Sequence, residues 1–206
     1  MPSATSKETH LTTEDKVKLA ATYYEVVSEK AVILLHMLGN TRQSWHEFAV
    51  FLQSKGYQAI AIDLRGHGQS LEKNNKRISY ISFHEQDFLD MSKDIQAAKK
   101  FLQKEGVAEI FLVGASIGAN LAIMAAAHDH DMKKVIALSP GLNYKGVKPQ
   151  DDVKKITIPI LIVAAEDDPY SAMSSRTLEG VIHSPKELKI FPKAAHGTRM
   201  FNHLPE

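Results

Sequence analysis

The sequence predicts an α/β protein in which helices flank a mostly parallel sheet of eight strands. Short apolar runs alternate with longer stretches of helical period, which is the pattern of βαβ units. Several of these runs are continuously apolar, as expected for strands buried on both faces. The length of 206 residues and the apolar content of 44% fit one domain covering residues 1–206.

The strands are predicted from the apolar runs. The first two should form an antiparallel pair that turns at Glu14-Asp15. The eight runs cover residues 11–13, 18–24, 31–36, 58–62, 110–113, 134–138, 160–164 and 188–191.

Three helices are predicted between the strands. Apolar residues recur at spacings of three and four over residues 42–54, closed by Gly56, and over residues 86–104, closed by Gly106. The alanine-rich stretch 119–127 is apolar on every side, which indicates a helix buried deep in the domain.

Composition limits the class of partner. The chain has no cysteine, so disulfides, thiolate catalysis and Cys-ligated metals are excluded. A formal net charge of +1 gives no reason to expect nucleic acid as a partner. Neither a membrane-spanning apolar run nor a signal-peptide pattern is present, so a cytoplasmic location is favoured unless a leader was trimmed. The oligomeric state cannot be predicted.

A pentapeptide between a predicted strand and a predicted helix contains a candidate catalytic residue. Gly114-Ala115-Ser116-Ile117-Gly118 matches Gly-x-Ser-x-Gly, directly after the strand 110–113 and before the helix 119–127. A sharp turn there would push the Ser116 hydroxyl out above the sheet, while the two glycines let strand and helix approach. The N–H of Ile117, at the helix N-terminus, can stabilise an oxyanion. Ser116 is therefore the predicted nucleophile.

A serine nucleophile needs a base and an acid that orients the base. His196 is the favoured base because it lies on a small-residue loop after the strand 188–191, at the carboxyl edge of the sheet. His183 and His203 remain alternatives. The acid should follow the strand 160–164, where Glu166-Asp167-Asp168 supplies three carboxylates, of which Asp168 is favoured.

With these residues in place the chain resembles the α/β-hydrolase family over nearly its whole length. The resemblance rests on His36-Met37-Leu38-Gly39, on the Gly-x-Ser-x-Gly turn and on the specific stretch Asp63-Leu64-Arg65-Gly66-His67-Gly68-Gln69-Ser70. The chain order Ser116, Asp168, His196 is that of the family. The resemblance also supports Asp168, since the acid in relatives is the last of a short group before a proline-containing turn.

The resemblance implies that the second oxyanion donor lies in the His36–Gly39 loop. Relatives usually have glycine where this chain has Met37, so Leu38 is the matching donor and Met37 a second candidate. His36 and His67 are expected to organise loops rather than to act as bases.

The resemblance also implies an open site. Relatives often insert a helical lid after the strand 134–138, but here residues 139–155 are too few for one. Loops 140–144 and 170–173, with Leu142, Tyr144, Tyr170 and Met173, are candidates to line the pocket. The long C-terminal helix of relatives should be short, absent or trimmed.

The function implied is hydrolysis of short-chain carboxylic esters, as in a lidless serine esterase or lipase-like enzyme, with a small-molecule substrate and no cofactor. A thioesterase or a C–C hydrolase with the same triad is the alternative enzyme, and a non-hydrolytic small-molecule receptor the alternative class. His128-Asp129-His130-Asp131 contains residue types that bind metals, but alternating residues in such a connection seldom converge on one ion, and a solvated loop is expected.

Overall fold

A computed structural model describes residues 5–203 of the chain. Outside this description lie residues 1–4 and 204–206. The first of these ranges begins the stretch in which the sequence shows no leader pattern. The elements in chain order are β1 (Ser6–Thr12), β2 (Val17–Tyr24), β3 (Lys30–Leu35), α1 (His46–Ser54), β4 (Gln58–Ile62), β5 (Glu72–Lys73), β6 (Lys76–Arg77), α2 (Glu85–Leu89), α3 (Ser92–Lys104), β7 (Glu109–Ala115), α4 (Ile117–His128), β8 (Met132–Leu138), β9 (Ile160–Ala165), α5 (Pro169–Glu179) and β10 (Lys186–Phe191). Single 3₁₀ turns cover Arg42–Trp45, Tyr80–Ser82, Val153–Lys155 and Gly197–Asn202.

One sheet runs through the whole fold. Its order is β10-β9-β8-β7-β3-β4-β2-β5-β6, with β1 paired to β2. The pairs from β10 to β4 are parallel, whereas β1, β2, β5 and β6 pair antiparallel. The predicted α/β architecture with a mostly parallel sheet is confirmed.

The predicted strand number is too low, because the sheet has ten strands. All eight predicted strands are present, and the two additional ones, β5 and β6, form a hairpin of two residues each. Asn74 and Asn75 turn this hairpin with φ of 51° and 61°. Consecutive positive φ values fit a type I′ turn, and such short, exposed strands leave no apolar run to recognise.

The two faces of the sheet carry different helices. Apolar residues of α3, α4 and α5, including Ile95, Leu121 and Leu178, pack on one face. On the other face Ala49 of α1 packs together with Trp45 and Met200. The buried helix predicted at 119–127 is confirmed as α4, which begins immediately after Ser116.

Two helix predictions need correction. The stretch 86–104 is divided into α2 and α3, because the N–H of Met91 bonds to the Phe88 carbonyl in a tight turn. The stretch 170–173 is the first turn of α5 rather than a loop. This helix buries Ser171, Ser174 and Ser175 and so shows no apolar stripe, although Pro169 at its first turn is a start signal.

The connection between β8 and β9 contains no cap domain. Within the described residues, only the 3₁₀ turn Val153–Lys155 interrupts the irregular chain between Leu138 and Ile160. The carboxyl edge of the sheet is therefore bordered by loops rather than by inserted helices.

Among the residues described, no helix is both long enough and apolar enough to cross a bilayer.

Candidate active site

Ser116 occupies a sharp turn between β7 and α4. Its φ of 56° and ψ of −120° lie outside the regions that a serine ordinarily adopts. The N–H of Ser116 donates to the Leu138 carbonyl at 2.8 Å, which ties the turn to the end of β8. Backbone strain of this kind persists only where the surrounding structure enforces it, and it is concentrated at functional sites.

Gly114 and Gly118 allow the strand and the helix to meet at this turn. A Cβ atom at Gly114 would lie 2.1 Å from the Gly118 carbonyl oxygen, and one at Gly118 would lie 2.4 Å from the Leu35 carbonyl oxygen. Both obstacles are backbone atoms, so no side-chain movement could relieve them. The geometry agrees with the steric reason for which the two glycines were singled out in the sequence.

His196 and Asp168 meet across the ends of two neighbouring strands. Asp168 follows β9 at the start of α5, and His196 follows β10. Nδ1 of His196 lies 2.5 Å from Oδ2 of Asp168, with the side chains 33% and 17% exposed. A carboxylate bound to Nδ1 leaves Nε2 as the ring nitrogen available to a nucleophile.

The other two carboxylates of this loop have different partners. Asp167 accepts the N–H groups of Ala194 and Ala195 at 3.1 and 3.2 Å, and these bonds, that of Ala194 first, lower the pKa of Asp167. Glu166 pairs with Arg176. Asp167 therefore holds the loop that precedes His196, while Asp168 contacts the imidazole.

The alternative histidines do not share this position. His183 is exposed after the end of α5, and His203 is exposed beyond the last 3₁₀ turn. Among the described hydrogen bonds and ion pairs, only His196 joins its ring to one of the three carboxylates that follow β9.

Ser116 and His196 come close without a hydrogen bond between their side chains among the described residues. A Cβ atom at Gly197 would lie 3.4 Å from Cβ of Ala115, so the residues adjacent to each side chain are neighbours. The Gly197 N–H also donates to Oγ of Ser139, at the end of β8, at 2.9 Å.

Two of the three predicted oxyanion donors, Met37 and Leu38, lie in the loop after β3, whereas Ile117 directly follows Ser116. Nδ1 of His36 contacts the Met37 carbonyl oxygen at 2.7 Å, and the Asn40 N–H donates to the same oxygen at 3.1 Å. In a trans peptide the N–H points away from the carbonyl, so the N–H of Leu38 points away from His36. Within residues 5–203, the N–H groups of Leu38 and Ile117 donate no described hydrogen bond.

Met37 fills space under the histidine loop. Its side chain is buried with Ala115, Ala194 and Met200. Its Sδ atom would lie 2.4 Å from a Cβ atom at Gly197, so methionine at one position depends on glycine at the other.

His36 and His67 are buried beside each other with ring centroids 5.0 Å apart. Nε2 of His36 accepts the Leu64 N–H at 3.0 Å, and Nδ1 of His67 lies 3.0 Å from the Arg65 carbonyl oxygen. Burial, and then the charge of His67, lower the pKa of His36 to about 3. His36 thus connects the loop after β3 to the loop after β4, and His67 bonds within the loop after β4.

Three residues near Ser116 were not assigned a role from the sequence. Ser139 binds the Gly197 N–H, Asn120 of α4 binds the loop after β8, and Tyr144 on that loop lies against His196. For Tyr144 the sequence predicts only that it is one of four candidates to line the pocket. The hydrogen bonds of Ser139 and Asn120 join segments that are far apart in sequence, and no local sequence pattern predicts them.

The segment 128–131 does not gather into one site. Asp129 and Asp131 both bind Nζ of Lys99, and His128 pairs with Asp152. Across the described part of the chain, no group of three or more His, Asp or Glu side chains is placed to hold a metal ion.

Comparisons with known proteins identify the fold family. The family model described as alpha/beta hydrolase fold matches residues 30–156, a stretch that includes the β3 loop and Ser116. Protein ABHD14A of Danio rerio is 27% identical over 158 residues, covering 75% of this chain and 53% of its own length. The chain spans about half or less of the length of the first curated relatives that it matches.

Solved structures share the fold at low sequence identity. The esterase Pf2001 of Pyrococcus furiosus is 21% identical with a TM-score of 0.77, covering 98% of this chain and 86% of its own. A dienelactone hydrolase from Anabaena variabilis is 17% identical with a TM-score of 0.74, covering 97% of this chain and 90% of its own. Because the coverage is nearly complete on both sides, the similarity extends over the whole sheet and its helices.

Proposed function

Because the chain belongs to the α/β-hydrolase fold family, we propose that it hydrolyses carboxylic esters with Ser116 as nucleophile, His196 as base and Asp168 as orienting acid. The observation that carries the proposal is the 2.5 Å contact between His196 Nδ1 and Asp168 Oδ2, beside a serine held at positive φ. Hydrolase and esterase names among the relatives and fold neighbours agree with it.

The reaction would proceed through an acyl-enzyme. Nε2 of His196 takes the proton of the Ser116 hydroxyl as its oxygen attacks the ester carbonyl, and Asp168 supports the imidazolium that forms. His196 then protonates the departing alcohol oxygen. Water, deprotonated by the same imidazole, attacks the acyl group and releases the acid, which regenerates Ser116.

The oxyanion would be bound by two backbone N–H groups. Ile117 supplies one from the first turn of α4, and Leu38 supplies the other from the loop after β3. Leu38 is preferred to Met37 because the Met37 carbonyl faces His36, which turns the N–H of Leu38 the opposite way. Each such donor is worth about 3 kcal/mol of transition-state stabilisation.

Small or short-chain esters are the proposed substrates. No inserted helices cover the carboxyl edge of the sheet between β8 and β9 in the described residues, so no apolar lid is available to hold a long acyl chain. Tyr144 lies against His196 near Ser116 and further restricts the space there.

The test is hydrolysis of p-nitrophenyl esters with acyl chains of increasing length. We expect the highest kcat/KM with the shortest chains and a loss of at least about 10³-fold in kcat for Ser116→Ala. Ser82→Ala, which removes an exposed serine hydroxyl, is the matched control and should retain wild-type rates.

Three outcomes would contradict the proposal. Equal activity of Ser116→Ala and wild type would remove Ser116 as nucleophile. A preference for long acyl chains would contradict the open site. Absence of hydrolysis with every ester by a folded wild-type protein would favour a receptor.

A further inference from the structure

Tyr144 lies on the histidine side of Ser116. In the sheet, β7 separates β3 from β8, so the loop after β3 with Leu38 borders Ser116 on one side. The loop after β8, which carries Tyr144, borders it on the other side, as do Asp168 after β9 and His196 after β10. Tyr144 therefore approaches Ser116 from the side opposite Leu38.

The side chain of Tyr144 contacts His196 and the residue that follows β8. Its ring meets the His196 ring edge to face, with centroids 6.3 Å apart and an interplanar angle of 83°. Its hydroxyl donates to the Ser139 carbonyl at 3.3 Å, which is long for a bond between a hydroxyl and an oxygen. A weak bond of this kind is readily exchanged for a better acceptor on a ligand.

The phenol of Tyr144 stays protonated at neutral pH. Burial, and then the negative charge of Asp168, raise the pKa of Tyr144 to about 12, although contacts with the hydroxyls of Ser116 and Ser171 act in the opposite direction. The group beside Ser116 is thus a hydrogen-bond donor throughout the pH range in which a serine hydrolase works.

Asn120 fixes the loop that carries Tyr144. This asparagine is fully buried in α4, one turn after Ser116. Its Oδ1 accepts the Gly141 N–H at 3.0 Å, and its Nδ2 donates to the Val147 carbonyl at 2.9 Å. One side chain on the nucleophile's own helix therefore holds both ends of the loop.

Further contacts hold the inside of the loop. Tyr144 and Val147 exchange two backbone hydrogen bonds of 3.2 and 2.9 Å. The Tyr170 hydroxyl of α5 accepts the Asn143 N–H at 2.9 Å and donates to the Asn143 carbonyl at 3.1 Å. A Cβ atom at Gly141 would lie 2.6 Å from the Tyr144 ring. The ring is therefore held in one place by a rigid frame.

We propose that the Tyr144 hydroxyl donates a hydrogen bond to the leaving-group oxygen of an ester bound at Ser116, and that Asn120 is the positioning residue for Tyr144. The inference rests on the proposed ester hydrolysis. In this step His196 transfers its proton to the departing oxygen while the C–O bond breaks, and Tyr144 keeps its own proton. Its hydrogen bond stabilises the negative charge that develops on that oxygen.

The experiment compares Tyr144→Phe with wild type on an alkyl acetate and on p-nitrophenyl acetate. Alkoxide is a poor leaving group and needs the hydrogen bond, whereas p-nitrophenolate departs without it. We expect kcat/KM to fall about tenfold for the alkyl ester and less than about twofold for the nitrophenyl ester. Tyr57→Phe, in which a tyrosine packed against Phe111 is altered, should leave both rates unchanged.

The outcomes separate this proposal from the proposed function. If wild type hydrolyses neither ester, ester hydrolysis itself is contradicted. If wild type hydrolyses both and Tyr144→Phe loses both equally, or neither, the leaving-group contact of Tyr144 is contradicted while the hydrolase stands.

The positioning role of Asn120 is tested by the same comparison of the alkyl ester with the nitrophenyl ester. Asn120→Ala should reproduce the selective loss of kcat/KM on the alkyl ester. In the Tyr144→Phe background it should add no further selectivity, because both substitutions remove the same hydrogen bond to the leaving-group oxygen. An equal loss on both esters would show that Asn120 supports the fold alone and would overturn its positioning role.

Discussion

His36 links the β3 loop to the β4 loop in a single protonation state. Its Nδ1 contacts the Met37 carbonyl, so the proton lies there, and Nε2 accepts the Leu64 N–H. Protonation of Nε2 would set two N–H groups against each other inside a fully buried site. The contact between the two loops thus depends on a neutral His36.

This histidine predicts acid sensitivity. The pKa of His36 is lowered from 6.5 in the unfolded chain to about 3 in the fold, chiefly by burial. Below pH 6.5 the unfolded chain therefore binds a proton that the folded chain does not, and the free energy of unfolding falls with falling pH down to about pH 3. His36 contributes up to about 1.4 kcal/mol per pH unit to this slope.

Denaturant unfolding of wild type and His36→Gln between pH 7 and 4 measures the contribution. The variant should show a shallower pH slope, and His183→Gln, which alters an exposed histidine, should keep the wild-type slope. Protonation of the His36 ring of wild type above pH 5, seen by NMR, would contradict the assignment whether or not the variant folds.

At the scale of elements, the strand–turn–helix around Ser116 depends on two glycines. Gly114→Ala would place a Cβ atom 2.1 Å from the Gly118 carbonyl, so β7 and α4 must separate. We expect loss of ester hydrolysis together with destabilisation of about 1–3 kcal/mol, as for overpacking of a core.

Gly180→Ala is the matched control for Gly114→Ala. Gly180 ends α5 with helical backbone angles, and a Cβ atom there meets nothing closer than 3.5 Å. Activity and thermal unfolding of Gly180→Ala should match wild type. Wild-type activity of Gly114→Ala would mean that the turn does not require its close strand–helix contact.

The elements that could be predicted are those with an apolar signal. Each of the eight predicted strands is present, and α4 follows Ser116 as expected. Continuous apolar runs mark the strands β3 and β4 and the helix α4, which are almost entirely buried. The helix α5 was missed because its inward side carries serines. The hairpin β5–β6 was missed because two-residue strands bury too little to leave a pattern.

At the scale of the whole molecule, the sheet order brings distant residues to one edge. Ser116, Asp168 and His196 follow β7, β9 and β10, and the parallel direction of these strands places their carboxyl ends together. The sequence predicts that these three residues meet only through the order and the spacing of the strands along the chain. The long-range bonds of Asn120 and Ser139 have no such signal, since the sequence does not show which distant segment each side chain meets.

The most direct measurement is covalent labelling of the folded protein by a fluorophosphonate, followed by mass mapping of the modified residue. We expect one adduct per chain on Ser116, no adduct on Ser116→Ala, and strongly slowed labelling of His196→Ala, because the base activates the hydroxyl. Labelling of Ser82→Ala should equal that of wild type. An adduct on another residue, or none on a protein that hydrolyses esters, would contradict Ser116 as the nucleophile.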